Sequence, residues 1–259
     1  MTSATVARGT MPLGDHLQEA RRRGVRAAVA LLAGVVVGYL LSDQILDVLR
    51  APIEELAASR NASLNYDTVT AAFDLKMKLA IMTGVVLSSP VWLLELFAFV
   101  TPGLTRRERK YTYGFLAAAV PLFAAGCAFG FLLFPHMVTL LTGFSSDQDS
   151  TILTAGYYVD FVTKIVLAIG IAFVLPVFLV MLNLLGLLPA RTLRRSWRLI
   201  VVAIVLFSAL VTPAADLMSM FLVAVPMSAL FGTALIICHL HDRGSERKAL
   251  AATNRSLTS

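Results

Sequence analysis

Charge is scarce in this chain, and so are polar stretches long enough to fold by themselves. Asp, Glu, Lys and Arg make up 15% of the 259 residues while hydrophobic residues make up 58%, against about 25% charged and 45–50% apolar in a soluble domain. Mean hydropathy is +0.78. The chain therefore reads as one membrane domain with short tails: residues 1–23 before it, 24–240 within it and 241–259 after it. Residues 1–23 also lack a short apolar core followed by a small-residue cleavage site. That argues against a removable signal peptide and for a cytoplasmic lead-in.

Cysteine and histidine are rarer still. Cys127 and Cys238 each sit inside an apolar run, where a buried thiol is expected rather than half of a disulfide or of a metal pair. His239 and His241 stand two apart on a polar tail, too few ligands for a metal ion. Neither a metal nor a cofactor is expected. An intramembrane enzyme would need a nucleophile–base pair or metal carboxylates at membrane depth. His136 lies at the outer end of a span and Asp216 in a turn, so the chain does not read as an enzyme. A proton pump would show a midplane chain of carboxylates and histidines, and none is present. A multi-span secondary transporter for a small solute would show an internal repeat around a polar midplane site. No convincing repeat is visible, and that class stands as the alternative reading.

What the chain has in abundance is long apolar runs. The first is Val25–Leu41, followed by a polar, outward stretch from Ser42 to about Thr70 whose length allows a short helix. The second, about Ala71 to Val100, contains Pro90. The third is Tyr111–Pro135, and the fourth runs from about Tyr157 to Leu188. The fifth, Leu199–Val211, has only 13 residues before Thr212 and Pro213, and the sixth is Leu217–Cys238. Crossing a hydrocarbon core of ~30 Å takes ~20 helical residues, so this corner is either a short pair of helices, which would thin the local bilayer, or is extended by Trp197 and its basic neighbours. Pro90, Pro121, Pro176 and Pro226 fall within spans, where each removes a helical hydrogen bond and bends its helix. Gly34/Gly38 and Gly126/Gly130 match a GxxxG spacing that marks close helix packing.

The arginines orient the runs. Arg8, Arg21, Arg22, Arg23 and Arg26 precede or open the first span. Arg106, Arg107, Arg109 and Lys110 follow the second. Arg191, Arg194, Arg195 and Arg198 follow the fourth, and Arg243, Arg247, Lys248 and Arg255 follow the sixth. Seventeen of the 22 basic residues thus fall on one side. Cytoplasmic loops carry such an excess, so six crossings put both ends in the cytoplasm, and the basic residues report orientation rather than nucleic-acid binding.

Few ionisable residues lie within spans, where each is costly and a candidate site. Glu95 sits in the inner half of the second span. Asp74 and Lys78, four apart at that span's outer end, are expected to pair, and Lys164 can snorkel outward. The informative acids are Glu19, before the first span, and Glu108, in the second loop. Both lie among arginines on the cytoplasmic side. Two readings stay open on the residues alone. Either the acids balance local charge or they form a receptor for a cationic ligand, since a guanidinium makes two parallel hydrogen bonds to a carboxylate.

Several stretches together resemble TatC, the receptor subunit of the twin-arginine protein translocase. His16-Leu17-Gln18-Glu19-Ala20-Arg21-Arg22-Arg23 resembles that family's "HLxELRxR" opening. Ser88-Ser89-Pro90-Val91-Trp92, then Phe97 to Leu104, then Glu108-Arg109, resemble its central signature. Pro52 matches a proline of its first outer loop. Thr212 to Asp216 and Val225-Pro226-Met227 resemble the segment joining its last two helices. The resemblance implies an all-α integral membrane protein: six transmembrane helices in a cupped bundle, both termini inside, with short fifth and sixth helices. It implies export of folded proteins driven by the proton-motive force, together with TatA-type and in some systems TatB-type single-span partners and other TatC copies.

Residue by residue, the resemblance implies that Glu19 and Glu108 bind the arginine pair of a signal peptide. Phe99 and Leu104 would shape that surface, with Arg21 and Arg109 as supporting charges. Pro52 would belong to the outer cap, Pro90 to the shaping of the second span, and Asp216 to the last outer turn. Two departures stand out. Val174 occupies the place of a fourth-span glutamate linked to partner contact, so that polar spot is expected to be missing unless Glu95 supplies another. Met220 stands where many members have glutamine. Both changes fit a variant partner interface or a diverged paralogue.

Overall fold

The computed structural model describes residues 13–60, 63–65, 68–100, 109–142, 152–212 and 217–257. Its helices are α1 (Leu13–Arg60), α2 (Ala71–Leu87), α3 (Ser89–Val100), α4 (Arg109–Thr142), α5 (Ala155–Leu184), α6 (Ala190–Arg195), α7 (Trp197–Val211) and α8 (Leu217–Leu257). Two short strands, β1 (Ser63–Asn65) and β2 (Ile152–Thr154), pair in parallel with Ser63 opposite Ile152. They join the loop after α1 to the segment before α5.

Four helices are long and apolar enough to cross a bilayer singly: Leu17–Arg50 of α1, Tyr113–Val138 of α4, all of α5, and Leu217–Gly244 of α8. A fifth crossing is the pair α2 and α3, bent by 59° at its break. The short α7 is apolar too but falls below that length. The bend has a local cause. Pro90 has no N–H to continue the ladder, and the chain turns at Ser88, whose own N–H still reaches Gly84 O at 2.9 Å. The carbonyl of Val85, left at the break, accepts a bond from Trp92 Nε1 at 2.9 Å, so the kink does not leave it unpaired in lipid.

Small residues let helices touch. A Cβ on Gly34 would sit 2.7 Å from Gly84 O, and one on Gly38 would sit 2.5 Å from Ala80 O. Gly126 and Gly130 meet Gly170 and Val166 in the same way. Both GxxxG pairs are therefore packing faces, of α1 on α2 and of α4 on α5. Around α5 the bundle builds two apolar clusters. Leu49, Leu79, Phe97, Phe115 and Phe123 pack with Val162 toward α1, α2, α3 and α4. Ile165, Ile169 and Phe173 pack with Ile204, Val223 and Met227 toward α7 and α8. The outward faces stay apolar: Val29, Leu32, Val36 and Leu40 of α1 and Leu199, Val202, Leu206 and Leu210 of α7 are exposed, as lipid-facing residues are.

Four expectations need correction. The stretch after Leu41 does not leave the helix, because α1 runs unbroken through Ser42 and Pro52 to Arg60. Ser42 Oγ bonds back to Tyr39 O at 2.7 Å, and buried Leu46 and Leu49 extend the packing face by one more turn. Lys78 does not pair with Asp74. It reaches across to Asp160 on α5 at 2.7 Å, while Lys76 pairs with Asp43 on α1 at 2.7 Å; contacts between helices win over the exposed i,i+4 pair. The fifth helix is short, with 15 residues, but the sixth is not. Its apolar part, Leu217–Gly244, has 28 residues, and α8 continues through the charged residues after 240 because Glu, Arg, Lys and Ala are good helix formers. Finally, the basic loop after the fourth span contains a helix of its own, α6.

Candidate functional site

At the N-terminal end of α1, Glu19 and Arg23 lie one turn apart on one face. Glu19 Oε1 accepts bonds from both Arg23 Nη2, at 2.6 Å, and Arg23 Nε, at 3.0 Å. The Glu19 side chain is 24% exposed and that of Arg23 is 23% exposed, so the pair is partly shielded from water. The third arm of the guanidinium points elsewhere. Arg23 Nη1 donates to Glu95 Oε2 on α3 at 3.2 Å, and Arg26 Nη1 donates to Glu95 Oε1 at 3.4 Å. The Glu95 side chain is only 9% exposed, whereas that of Arg26 is 67% exposed.

The fold brings these residues together through the break between α2 and α3. The turn at Ser88 lets α3 lean back toward the start of α1. Phe97, two residues after Glu95, stacks on Phe115 of α4 at 4.3 Å between ring centroids, and Trp92 meets Phe123 edge-on at 5.4 Å. The apolar side of α3 is thereby anchored on α4, and Glu95 faces α1. Two carboxylates and two guanidiniums then share one surface at net zero charge. Such a cluster has one evident capability: it grips guanidinium groups by charge-assisted, two-pronged bonds.

Of the residues singled out from the sequence, Glu19 lies in this cluster and Arg21 stands exposed beside it on α1. Phe99 is half-buried near the end of α3. Arg109 begins α4. Glu108 and Leu104 lie outside the described residues, as does Asp216. Pro52 is within α1, Pro90 is exposed in the first turn of α3, and Met220 is half-buried in α8. Sequence reasoning missed the roles of Arg23 and Arg26, although the Glu19–Arg23 spacing of four was there to be read. It flagged Glu95 as an acid inside a span without finding its partners.

Val174 is buried on α5. It lines a cavity of about 150 Å³ with Trp92, Leu96, Phe97, Phe115 and Phe178. Every described residue lining that cavity is apolar, and Glu95 is not among them; the polar spot that Glu95 supplies lies elsewhere, with Arg23 and Arg26 of α1. A larger apolar hollow of about 600 Å³ opens between α1, α2, α4 and α5, lined by residues such as Ile45, Met82, Phe131 and Val166.

A second polar knot ties α5, α6 and α8. Asn183 Nδ2 donates to Leu188 O at 2.9 Å and to Asp242 Oδ1 at 3.0 Å, and Ala190 N donates to Asp242 Oδ2 at 2.8 Å. Gly186, at φ +73°, makes the tight turn that ends α5 and begins this knot. Among the described residues, no group of three or more His, Cys, Asp and Glu could hold a metal ion.

Comparison with known proteins places this architecture. Residues 15–226 match the family model described as Sec-independent protein translocase protein (TatC). The chain is 41% identical over 247 residues to the Sec-independent protein translocase protein TatC of Xylanimonas cellulosilytica, covering 95% of this chain and 90% of that one. It is 36% identical over 241 residues to the TatC of Rothia mucilaginosa, covering 92% and 82%. Its fold matches a crystal structure described as the twin-arginine translocase receptor TatC. That match has a TM-score of 0.71 and 26% identity, over 87% of this chain and 98% of the other.

Proposed function

The chain belongs to the TatC family of Sec-independent protein translocase proteins, and from that premise we propose that it is the receptor for twin-arginine signal peptides in its translocase. The observation that supports this most directly is the grip on Arg23. Glu19 takes a guanidinium on two arms at 2.6 and 3.0 Å in a partly shielded setting, which is the bond an arginine of a signal would make. The matched crystal structure, described as that of the twin-arginine translocase receptor TatC, points the same way. Glu108, the second carboxylate of the motif, receives the other arginine. Phe99 and Leu104 shape the surface, and Arg21 and Arg109 lend supporting charge.

The clustering of arginine supports the orientation. With Arg21, Arg22, Arg23 and Arg26 at one end of α1 and the other basic groups following alternate spans, both ends lie in the cytoplasm and the chain sits in the cytoplasmic membrane. The signal therefore meets Glu19 on the side where cargo is made. Export of folded cargo then uses TatA-type partners, in some systems a TatB-type subunit and further TatC copies, and the proton-motive force. Val174 in its all-apolar cavity fits a partner contact that does without a buried acid on α5.

The test is site-directed crosslinking of a twin-arginine signal peptide to membranes holding Glu19→Ala or Glu108→Ala protein. Each variant should crosslink at least tenfold less while remaining in the membrane. Crosslinking unchanged in both would overturn the assignment. Export of a twin-arginine reporter in a strain lacking its own TatC checks the activity as a whole.

A further inference from the structure

Arg23 already sits where the ligand's arginine would go. Two of its three nitrogens are on Glu19 and the third is on Glu95. Arg26 also reaches Glu95, from a largely exposed position. Glu95 is thus a buried acid with two cationic neighbours, while among the described residues Glu19 is paired with Arg23.

We propose that Arg23 is a resident stand-in for one arginine of the incoming signal, and that Glu95 holds it when the signal takes Glu19. The inference rests on reading Glu19 as a signal-binding carboxylate. A partly shielded carboxylate with no partner is costly, so an empty receptor is steadier if it carries its own guanidinium. When the signal arrives, its arginine replaces Arg23 on Glu19. Arg23 keeps its bond to Glu95 and turns its freed nitrogens toward water and the second Glu95 oxygen. No buried charge is stranded at any point, and binding is an exchange of like for like. Glu95 sets how readily the exchange happens. Without it, Glu19 is the sole carboxylate for Arg23 and is held more firmly.

The experiment measures binding of a fluorescent peptide carrying a twin-arginine signal to the full-length protein in detergent. Arg23→Gln should bind about tenfold more tightly than the parent, the order expected for removing one part-exposed charge-assisted competitor. Glu95→Gln should bind about tenfold more weakly. The double variant R23Q/E95Q replaces the ion pair by two amides of similar shape, which guards against loss of folding. It should bind as tightly as R23Q alone, because Glu95 acts only through Arg23.

Weaker binding by R23Q, unchanged binding by E95Q, or an E95Q loss of equal size with and without Arg23 would each overturn the proposal. Glu19→Gln separates the two levels. If E19Q abolishes binding while R23Q fails to tighten it, only the stand-in role falls. If E19Q leaves binding unchanged, the receptor reading of Glu19 falls and this inference falls with it.

Discussion

Arg23 and Glu95 are 72 positions apart in the chain and 3.2 Å apart in the fold. That bond clasps the start of α1 to α3, the half of the second span that lies beyond its break. It makes the charged surface a joint product of two helices.

Removing one side of the clasp should therefore cost stability as well as binding. Glu95→Ala leaves two guanidiniums beside an apolar helix, and stranding a charge in a buried pair costs several kcal/mol. Arg23 and Arg26 are partly exposed here and recover some hydration, so the expected loss is about 2 kcal/mol. Thermal unfolding in detergent should show a lower Tm for E95A than for E95Q, which keeps hydrogen-bonding oxygen and nitrogen in the same place. Equal Tm values would mean that the bond carries no net stability.

The glycine faces make a sharper contrast. A Cβ at Gly38 would lie 2.5 Å from the backbone oxygen of Ala80, which cannot swing aside, whereas a Cβ at Gly114 meets nothing within 4 Å. Gly38→Val should force α1 and α2 apart at a cost of about 2–3 kcal/mol. Gly114→Ala should be neutral or slightly stabilising, since alanine is the better helix former. Protease resistance of the two purified variants checks both directions.

Much of this was legible in the sequence because lipid imposes a simple rule. Long apolar runs must be helices, and arginines mark one side of them. The bend at Pro90 and the close approach at Gly34 and Gly38 follow from single residue types. The Lys78–Asp160 and Lys76–Asp43 bonds did not show, because they join helices whose relative rotation no local pattern encodes. The length of α8 does not show for a different reason: polarity after Cys238 ends only the lipid-facing stretch, not the helix. The β1–β2 pair, three residues on each side, is too short to leave a periodic signal. Glu19 was found by motif, while its partner Arg23 was hidden among four neighbouring arginines that look alike until one of them is placed.

Val174 offers a test of the departure on α5. Glutamate there would enter a cavity of about 150 Å³ lined only by apolar side chains. A charged carboxylate without a partner is strongly disfavoured at such a site. Val174→Glu should lower Tm markedly at neutral pH and less in acid, where the group is protonated. If the protein instead holds its Tm at neutral pH and gains TatA-type partner in pull-downs from membranes, the cavity accommodates the acid and Val174 has altered partner contact in this chain.

The short α7 predicts a thin patch of membrane. Its 15 residues rise about 22 Å, against a hydrocarbon core of ~30 Å. Trp197 and Arg198, with the guanidinium 5.7 Å from the ring centroid, fix one end at the interface. At the other end Thr212 Oγ1 turns back onto Ser208 O at 2.8 Å. Ile204 and Ser208 are buried, Ile200, Phe207 and Val211 pack against the same core, and the opposite face with Leu199, Val202, Leu206 and Leu210 is exposed, so lipid beside it must adjust by several ångströms at fractions of a kcal/mol each. The longer α8 can meet the same thinner layer by tilting. Spin labels at Leu206 on α7 and Val36 on α1, both exposed apolar positions, should report different depths, with the label at Leu206 several ångströms shallower. Inserting one turn of four leucines after Val205 should remove the difference. Equal depths in the unmodified protein would show that α7 sits in a bilayer of ordinary thickness.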